Sequence, residues 1–184
     1  MEPSWSLLRV LPMIPPSLNQ ELDLLGWRLA DATLTLASYQ AALADILRRR
    51  INCSTVVIWR MTSEQGKRNL DCIGRYPASV ADMPRGELVS ESPLGKYFSV
   101  LTSRGVYACG DTLNDPHLEA PGVWWRRADA PRAFLDALVV INGQPLGVLS
   151  CRQDAVQRQW VVDEETLLRR LSAKVALHLT RTRR

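Results

Sequence analysis

From residue 17 onward the apolar positions first repeat at the spacing of a helix and then switch to that of a strand. Leu22, Leu25, Leu29, Ala32, Leu36, Tyr39, Leu43 and Ile46 recur at alternating intervals of three and four, an apolar seam more than three heptads long. Ser17 and Gln20 ahead of it have the S-x-x-Q form of a capping box, so the spacing predicts one long helix over 17–51. After Asn52 the period falls to two. "STVVIWRM" and "NLDCIGRYP" read as strands joined by a polar turn, residues 78–91 as a loop, "SPLGKYFSVLTSRG" as a short helix ending near Gly105, and "VYACGDT" as a third strand. A long irregular segment follows over 113–132. Two apolar strands, 134–141 and 145–152, then meet at Asn142-Gly143, the pair that suits a type I′ hairpin turn. Both strands look apolar on both faces, which makes them central and covered on each side. Leu168, Leu171, Val175 and Leu179 mark a last helix over 163–182, with Asp163, Glu164 and Glu165 in its first turn and arginines at its end.

The order of elements predicts an α+β fold in which an antiparallel sheet lies between helices. Residues 1–16 are proline-rich and aperiodic, an extended tail or linker. The seam on the first helix asks for a covering surface, which its own sheet or a second subunit can supply. The reading favours a homodimer through Leu22, Leu25, Leu29, Leu36, Leu43, Leu171 and Val175.

The chain carries a net charge of +4 at pH 7, but its 23 basic residues are scattered, with clusters only at the ends of predicted helices. Cations there answer the helix dipole, which argues against a nucleic-acid partner. No apolar run approaches the roughly 20 residues of a membrane span. Prolines interrupt the first twenty residues where a signal peptide would be apolar, so a cytoplasmic location is expected. The four cysteines, Cys53, Cys72, Cys109 and Cys151, form no C-x-x-C pair, and no metal site is indicated.

Taken in order, several of these pieces resemble a GAF domain, the small-molecule sensor module of phosphodiesterases, phytochromes, histidine kinases and diguanylate cyclases. They are the strand "STVVIWRM", the segment "SPLGKYFSVLTSRGVYACGDTLNDPHL" with Asp111 and Asp115-Pro116, the hairpin with Gly147-Val148-Leu149, and the run "RQWVVDEETLLRRLSAKVALHL". Val161 stands where the family often has a threonine cap. The resemblance covers about residues 35–180. It implies a PAS-related sheet of five or six strands in the order 2-1-5-4-3, with the terminal helices on one face and short helices and loops on the other. The chain then divides into the tail at 1–16, the dimerising and signalling helix at 17–51 and the sensor core with its C-terminal helix at 52–184.

It also implies a pocket walled by Tyr97 and Phe98, by Cys109 to Asp111, and by a loop bearing His117, Trp124, Trp125 and Arg127. Aromatic rings with one or two charges suit a planar or amphipathic ligand. There is no Cys-His dipeptide of the kind many bilin-attaching members use, nor the Asn-Lys…Phe…Asp-Glu pattern of cyclic-nucleotide-binding members, so the residues name no cofactor. The resulting expectation is a non-enzymatic bacterial sensor that regulates an attached or partner output domain. The alternative is a cysteine-based free methionine sulfoxide reductase or redox sensor of the same fold, with Cys109 as its thiol. Asp111 beside that cysteine would oppose thiolate formation.

Overall fold

A computed structural model describes residues 17–77, 88–119 and 130–182. The capping box forms as expected, with the Gln20 amide donating to Ser17 Oγ at 3.4 Å and the Ser17 amide to Gln20 Oε1 at 2.8 Å. The helix it opens is shorter than the sequence predicts. α1 spans Leu18–Ala30 and α2 spans Leu36–Ile51, so the single helix expected over 17–51 is two. Asp31 Oδ1 accepts from the Thr33 amide at 3.0 Å, Ala32 takes a positive φ of 61°, and Thr35 Oγ1 caps the second helix by accepting from Ser38 at 3.2 Å. Short polar side chains that compete for backbone donors end the first helix and start the next.

β1 (Thr55–Glu64) and β2 (Lys67–Tyr76) form a hairpin about Gln65-Gly66, both at positive φ. β3 (Leu88–Ser90) is a short edge strand inside the segment expected to be loop. α3 (Gly95–Arg104) ends at Gly105, whose φ of 72° supplies the left-handed cap, and leads into β4 (Val106–Cys109). β5 (Ala133–Ile141) and β6 (Gln144–Gln153) are joined by Asn142-Gly143 at φ 51° and 75°, the type I′ geometry anticipated from the pair. α4 runs from Val162 to Arg181.

The six strands form one antiparallel sheet in the order β3-β2-β1-β6-β5-β4. Without the edge strand β3 this is the 2-1-5-4-3 arrangement. Side chains alternate across it. Val56, Ile58, Leu135, Ala137, Leu149 and Cys151 enter a core with α1, α2 and α4, while Val57, Trp59, Phe134, Leu138 and Val148 enter a second core with α3. Gly147 lets β6 approach β1 closely, because a Cβ there would lie 2.2 Å from the Trp59 carbonyl oxygen. Gly26 does the same between helices, where a Cβ would fall 2.3 Å from the His178 ring. Among the described residues no helix is long and apolar enough to cross a membrane.

The apolar seam is spent mostly within this core. Leu22, Leu25, Leu29, Leu43, Leu171 and Val175 are all buried in the chain's own interior, and of the seven residues expected at a dimer contact only Leu36, 52% exposed, faces outward. The helices turn a different set to solvent: Leu24, Trp27 and Leu177 are exposed, with Arg181 lying over the Trp27 ring at 5.9 Å and Lys174 paired to Asp23 at 2.6 Å. These contacts bracket Leu177 and bring the three together along the line where α1 meets α4.

Candidate functional site

The face of the sheet beneath α3 holds a buried polar cluster. α3 presents Tyr97, Phe98 and Leu101 inward, and all three are buried. The Tyr97 hydroxyl donates to Asp136 Oδ2 at 2.7 Å. Asp136 lies in the middle of β5, with Tyr107 of β4 opposite it on one side and Ser150 of β6 on the other. Arg152 Nε donates to Ser150 Oγ at 3.3 Å, and its guanidinium stands over Trp59 at 5.2 Å. Asp136 and Arg152 are 4% and 2% exposed, so a carboxylate and a guanidinium share an interior site walled by aromatic rings. The expectation that these strands are apolar on both faces therefore fails on this one.

Burial pushes the Asp136 carboxyl up to about 6, against hydrogen bonds with Ser150 and Tyr97 and the charge of Arg152, which favour the ionised form. Burial likewise holds the Tyr97 hydroxyl well above its ordinary range, and Asp136 adds to it. Asp136 Oδ1 has no hydrogen-bond partner among the described residues. It borders a cavity of about 10 Å³ lined by Trp59, Leu70, Val89, Tyr97, Phe134, Asp136, Ser150 and Arg152. That is room for about one water-sized group.

Of the residues expected at a pocket, Tyr97 lines this cavity. Phe98 and Cys109 are buried in the same core, and Tyr97 packs edge-on against Phe98 at 5.2 Å. Asp111 lies elsewhere: it pairs with Arg132 at 2.9 Å and accepts from Asn114 and Gln157 at 2.6 Å, bracing the turn after β4. His117 stands 3.5 Å from Asp115 and lines a separate open cleft of about 890 Å³ with Val100, Arg104, Tyr107, Asp115 and Arg169. Asp115 holds that wall together, accepting from the Tyr107 hydroxyl at 2.6 Å and the His117 amide at 2.9 Å. Trp124, Trp125 and Arg127 lie outside the described residues. Trp59, Asp136, Ser150 and Arg152 escape the sequence reading, although a charged residue within "FLDALVV" is the signal that could have found them.

Cys109 is fully buried, and burial followed by Asp115 drives its thiol far above the ordinary range. That environment opposes the thiolate a nucleophile needs. Among the described residues no group of three or more His, Cys, Asp or Glu side chains is placed to hold a metal ion.

The helices on the opposite face are tied to the sheet by Arg158 and Trp160. Arg158 donates to the Asn52 carbonyl at 2.6 Å and the Ile51 carbonyl at 2.7 Å, capping the end of α2, and pairs with Glu164 of α4 at 2.5 Å. Its guanidinium stacks on Trp160 at 4.3 Å, and Trp160 Nε1 donates to the Cys109 carbonyl at 2.9 Å. Glu164 Oε2 also accepts from the Val161 amide at 3.0 Å, so the first turn of α4 is closed although a valine side chain can accept nothing.

Solved structures share this architecture. A far-red absorbing dark-state protein with bound biliverdin IXa superposes at a TM-score of 0.66 with 16% identity, covering 90% of this chain and all of that one. Residues 122 to 287 of a methyl-accepting chemotaxis protein give 0.65 with 14% identity, covering 86% and 96%. The GAF domain/HD domain protein from Geobacter sulfurreducens gives 0.61 with 16% identity, covering 77% and 89%. At such identities the likeness speaks for the fold. No curated protein sequence matches. The GAF domain family model matches residues 37–179, most of the chain and all six strands, and the chain belongs to the GAF domain family.

Proposed function

We propose that this chain is a non-enzymatic sensor of bacterial signal transduction, which holds a small molecule between the sheet and α3 and reports its occupancy through α1, α2 and α4. The observation that carries the reading is Asp136: an interior carboxylate with one oxygen unpartnered among the described residues, beside a buried arginine and the face of a tryptophan. Burying a carboxylate and a guanidinium is unfavourable unless their hydrogen bonds are met, and a ligand meets the remaining one. The cavity as it stands admits about one water-sized group, so the ligand is a planar or amphipathic molecule that enters as α3 shifts away from the sheet and places one N–H or O–H on Asp136 Oδ1. The structural relatives include a chemotaxis protein and a GAF domain/HD domain protein, which supports an attached or partner output domain.

Homodimerisation belongs to the same reading. Leu24 and Trp27 of α1, Leu36 of α2 and Leu177 of α4 are outward apolar residues of the signalling helices and form the contact. Native mass spectrometry of the freshly purified full chain tests both parts. The expected result is a species of twice the 20.7 kDa chain mass, carrying a small molecule that is lost on denaturation. Asp136→Leu is expected to remove the small molecule while the dimer stays. Leu24→Asp with Trp27→Asp, both exposed positions, is expected to leave a folded monomer that still holds the ligand. A bare monomer at tens of micromolar, whose melting no small molecule shifts, would refute the reading.

A further inference from the structure

Two of the four cysteines meet. Cys53 follows the left-handed Asn52 cap of α2, and Cys151 lies in β6 on the helix-covered face of the sheet. The Ser54 amide donates to the Arg152 carbonyl at 2.8 Å and Val56 stands opposite Cys151, so the link from α2 into β1 passes over this part of β6. Both side chains enter the same apolar core, Cys53 7% exposed and Cys151 not at all, and their thiols hydrogen-bond to each other.

The surroundings make the pair unequal. The hydrogen bond from Cys151 holds the Cys53 thiol below its ordinary value against burial, and the Arg152 backbone and the Arg158 and Arg48 guanidiniums add to it. The same hydrogen bond, with burial, pushes the Cys151 thiol well above its own. Cys53 is also the less buried of the two, so it is the sulfur that an oxidant reaches first, and Cys151 is placed to close on it.

We propose that Cys53 and Cys151 are a peroxide-responsive dithiol that closes to a reversible intrachain disulfide. The Cys53 thiolate attacks one oxygen of hydrogen peroxide; the O–O bond breaks, and the departing hydroxide takes a proton to become water. Cys151 sulfur then attacks the Cys53 sulfenic sulfur. The S–S bond forms, the S–O bond breaks, and the hydroxyl leaves as a second water with the Cys151 proton. Two thiols are oxidised to one disulfide and one peroxide is reduced to two waters. The sulfurs have only to close from hydrogen-bonding distance to about 2.05 Å.

The position gives the bond a consequence. Ile51 and Asn52, which precede Cys53, present the carbonyls that Arg158 holds while it pairs with Glu164 of α4. A disulfide at Cys53 therefore acts on the junction that fastens α2 and α4 to the sheet. It lies on the opposite face from the Asp136 cavity, so its chemistry stands apart from the ligand reading.

The test is graded hydrogen peroxide on the folded full chain, followed by thiol counting, intact mass and non-reducing peptide mapping. Free thiols are expected to fall from four to two, the mass to fall by two hydrogens, and one cross-linked peptide pair to join Cys53 to Cys151, all reversed by dithiothreitol. Cys151→Ser is expected to trap a dimedone-reactive sulfenic acid at Cys53, while Cys72→Ser and Cys109→Ser leave the cross-link intact. A cross-link that runs through Cys72 or Cys109, one that forms only after unfolding in urea, or a Cys53 that stays reduced while Cys72 oxidises overturns the proposal. Mapping of the unmutated chain decides the matter even if a serine variant fails to fold.

Discussion

Replacing Arg158 by alanine is expected to lower the unfolding free energy by about 3 kcal/mol, because it strips charged donors from two helix-end carbonyls and leaves Glu164 without its cation. The side chain does three things at once. It caps Ile51 and Asn52, anchors the first turn of α4, and covers the Trp160 ring. Lysine in its place keeps one charge but loses the planar fork, so Arg158→Lys is expected to recover less than half of the loss. Trp160→Phe keeps a ring under the guanidinium and loses only the bond to the Cys109 carbonyl, a cost of about 1 kcal/mol. Urea midpoints with an unchanged m-value would measure all three. A change under about 1 kcal/mol for Arg158→Ala would mean that α2 and α4 are held by apolar packing alone.

The same clasp illustrates what a single sequence can and cannot convey. Local chemistry is legible: Ser17 and Gln20 cap a helix, Asn142-Gly143 turns a hairpin, and Gly105 ends α3, each because a few adjacent residues decide the geometry. The break at Asp31–Thr35 is not, because α1 and α2 bury their apolar positions in the same core and the three-four spacing runs on across the turn. The seam is ambiguous for a related reason. Apolar recurrence records that a face is covered, not whether α4 or a second subunit covers it, and here Leu22, Leu25, Leu29 and Leu43 are covered from within.

The candidate site fails to announce itself because its members come from four elements. Asp136 alone is a charged residue in an apolar strand. It acquires meaning only when β6 brings Ser150 beside it and α3 lowers Tyr97 onto it. Cys53 and Cys151 meet in the same way, where the link from α2 into β1 passes over β6. Spacing between cysteines along the chain carries no trace of that contact.

Stability as a function of pH should expose two buried groups whose effects oppose each other. His178 is 1% exposed, accepts or donates at Tyr39 through Nδ1 at 2.9 Å, and is pushed from 6.5 to about 4 by burial first and then by Lys174 and Arg181, against Asp23. Between those values the unfolded chain binds a proton that the native chain refuses, so this group makes stability rise with pH. Asp136 is raised from 3.8 to about 6, so between those values the native chain holds a proton that the unfolded chain has lost, and stability falls as pH rises. At about 1.4 kcal/mol per unit each contributes about 3 kcal/mol, with opposite sign. Across pH 4 to 6 the two therefore nearly offset each other in the unmutated protein. Asp136→Asn should uncover the histidine, with stability climbing by about 3 kcal/mol between pH 4 and 6.5, and His178→Gln should uncover the carboxylate, with stability falling by a similar amount from pH 4 to 6. Glu91 and Asp23, held below the ordinary carboxylate range by Arg68 and Lys174, lose their contribution as pH falls below about 4 in every variant and cancel in the differences. Urea titrations at half-unit intervals give the three curves; curves that run parallel would show that neither group titrates with folding. A ligand that donates to Asp136 Oδ1 stabilises the charged carboxylate, so saturating the cavity should flatten the Asp136 arm alone. That links the pH response of the fold to occupancy of the site.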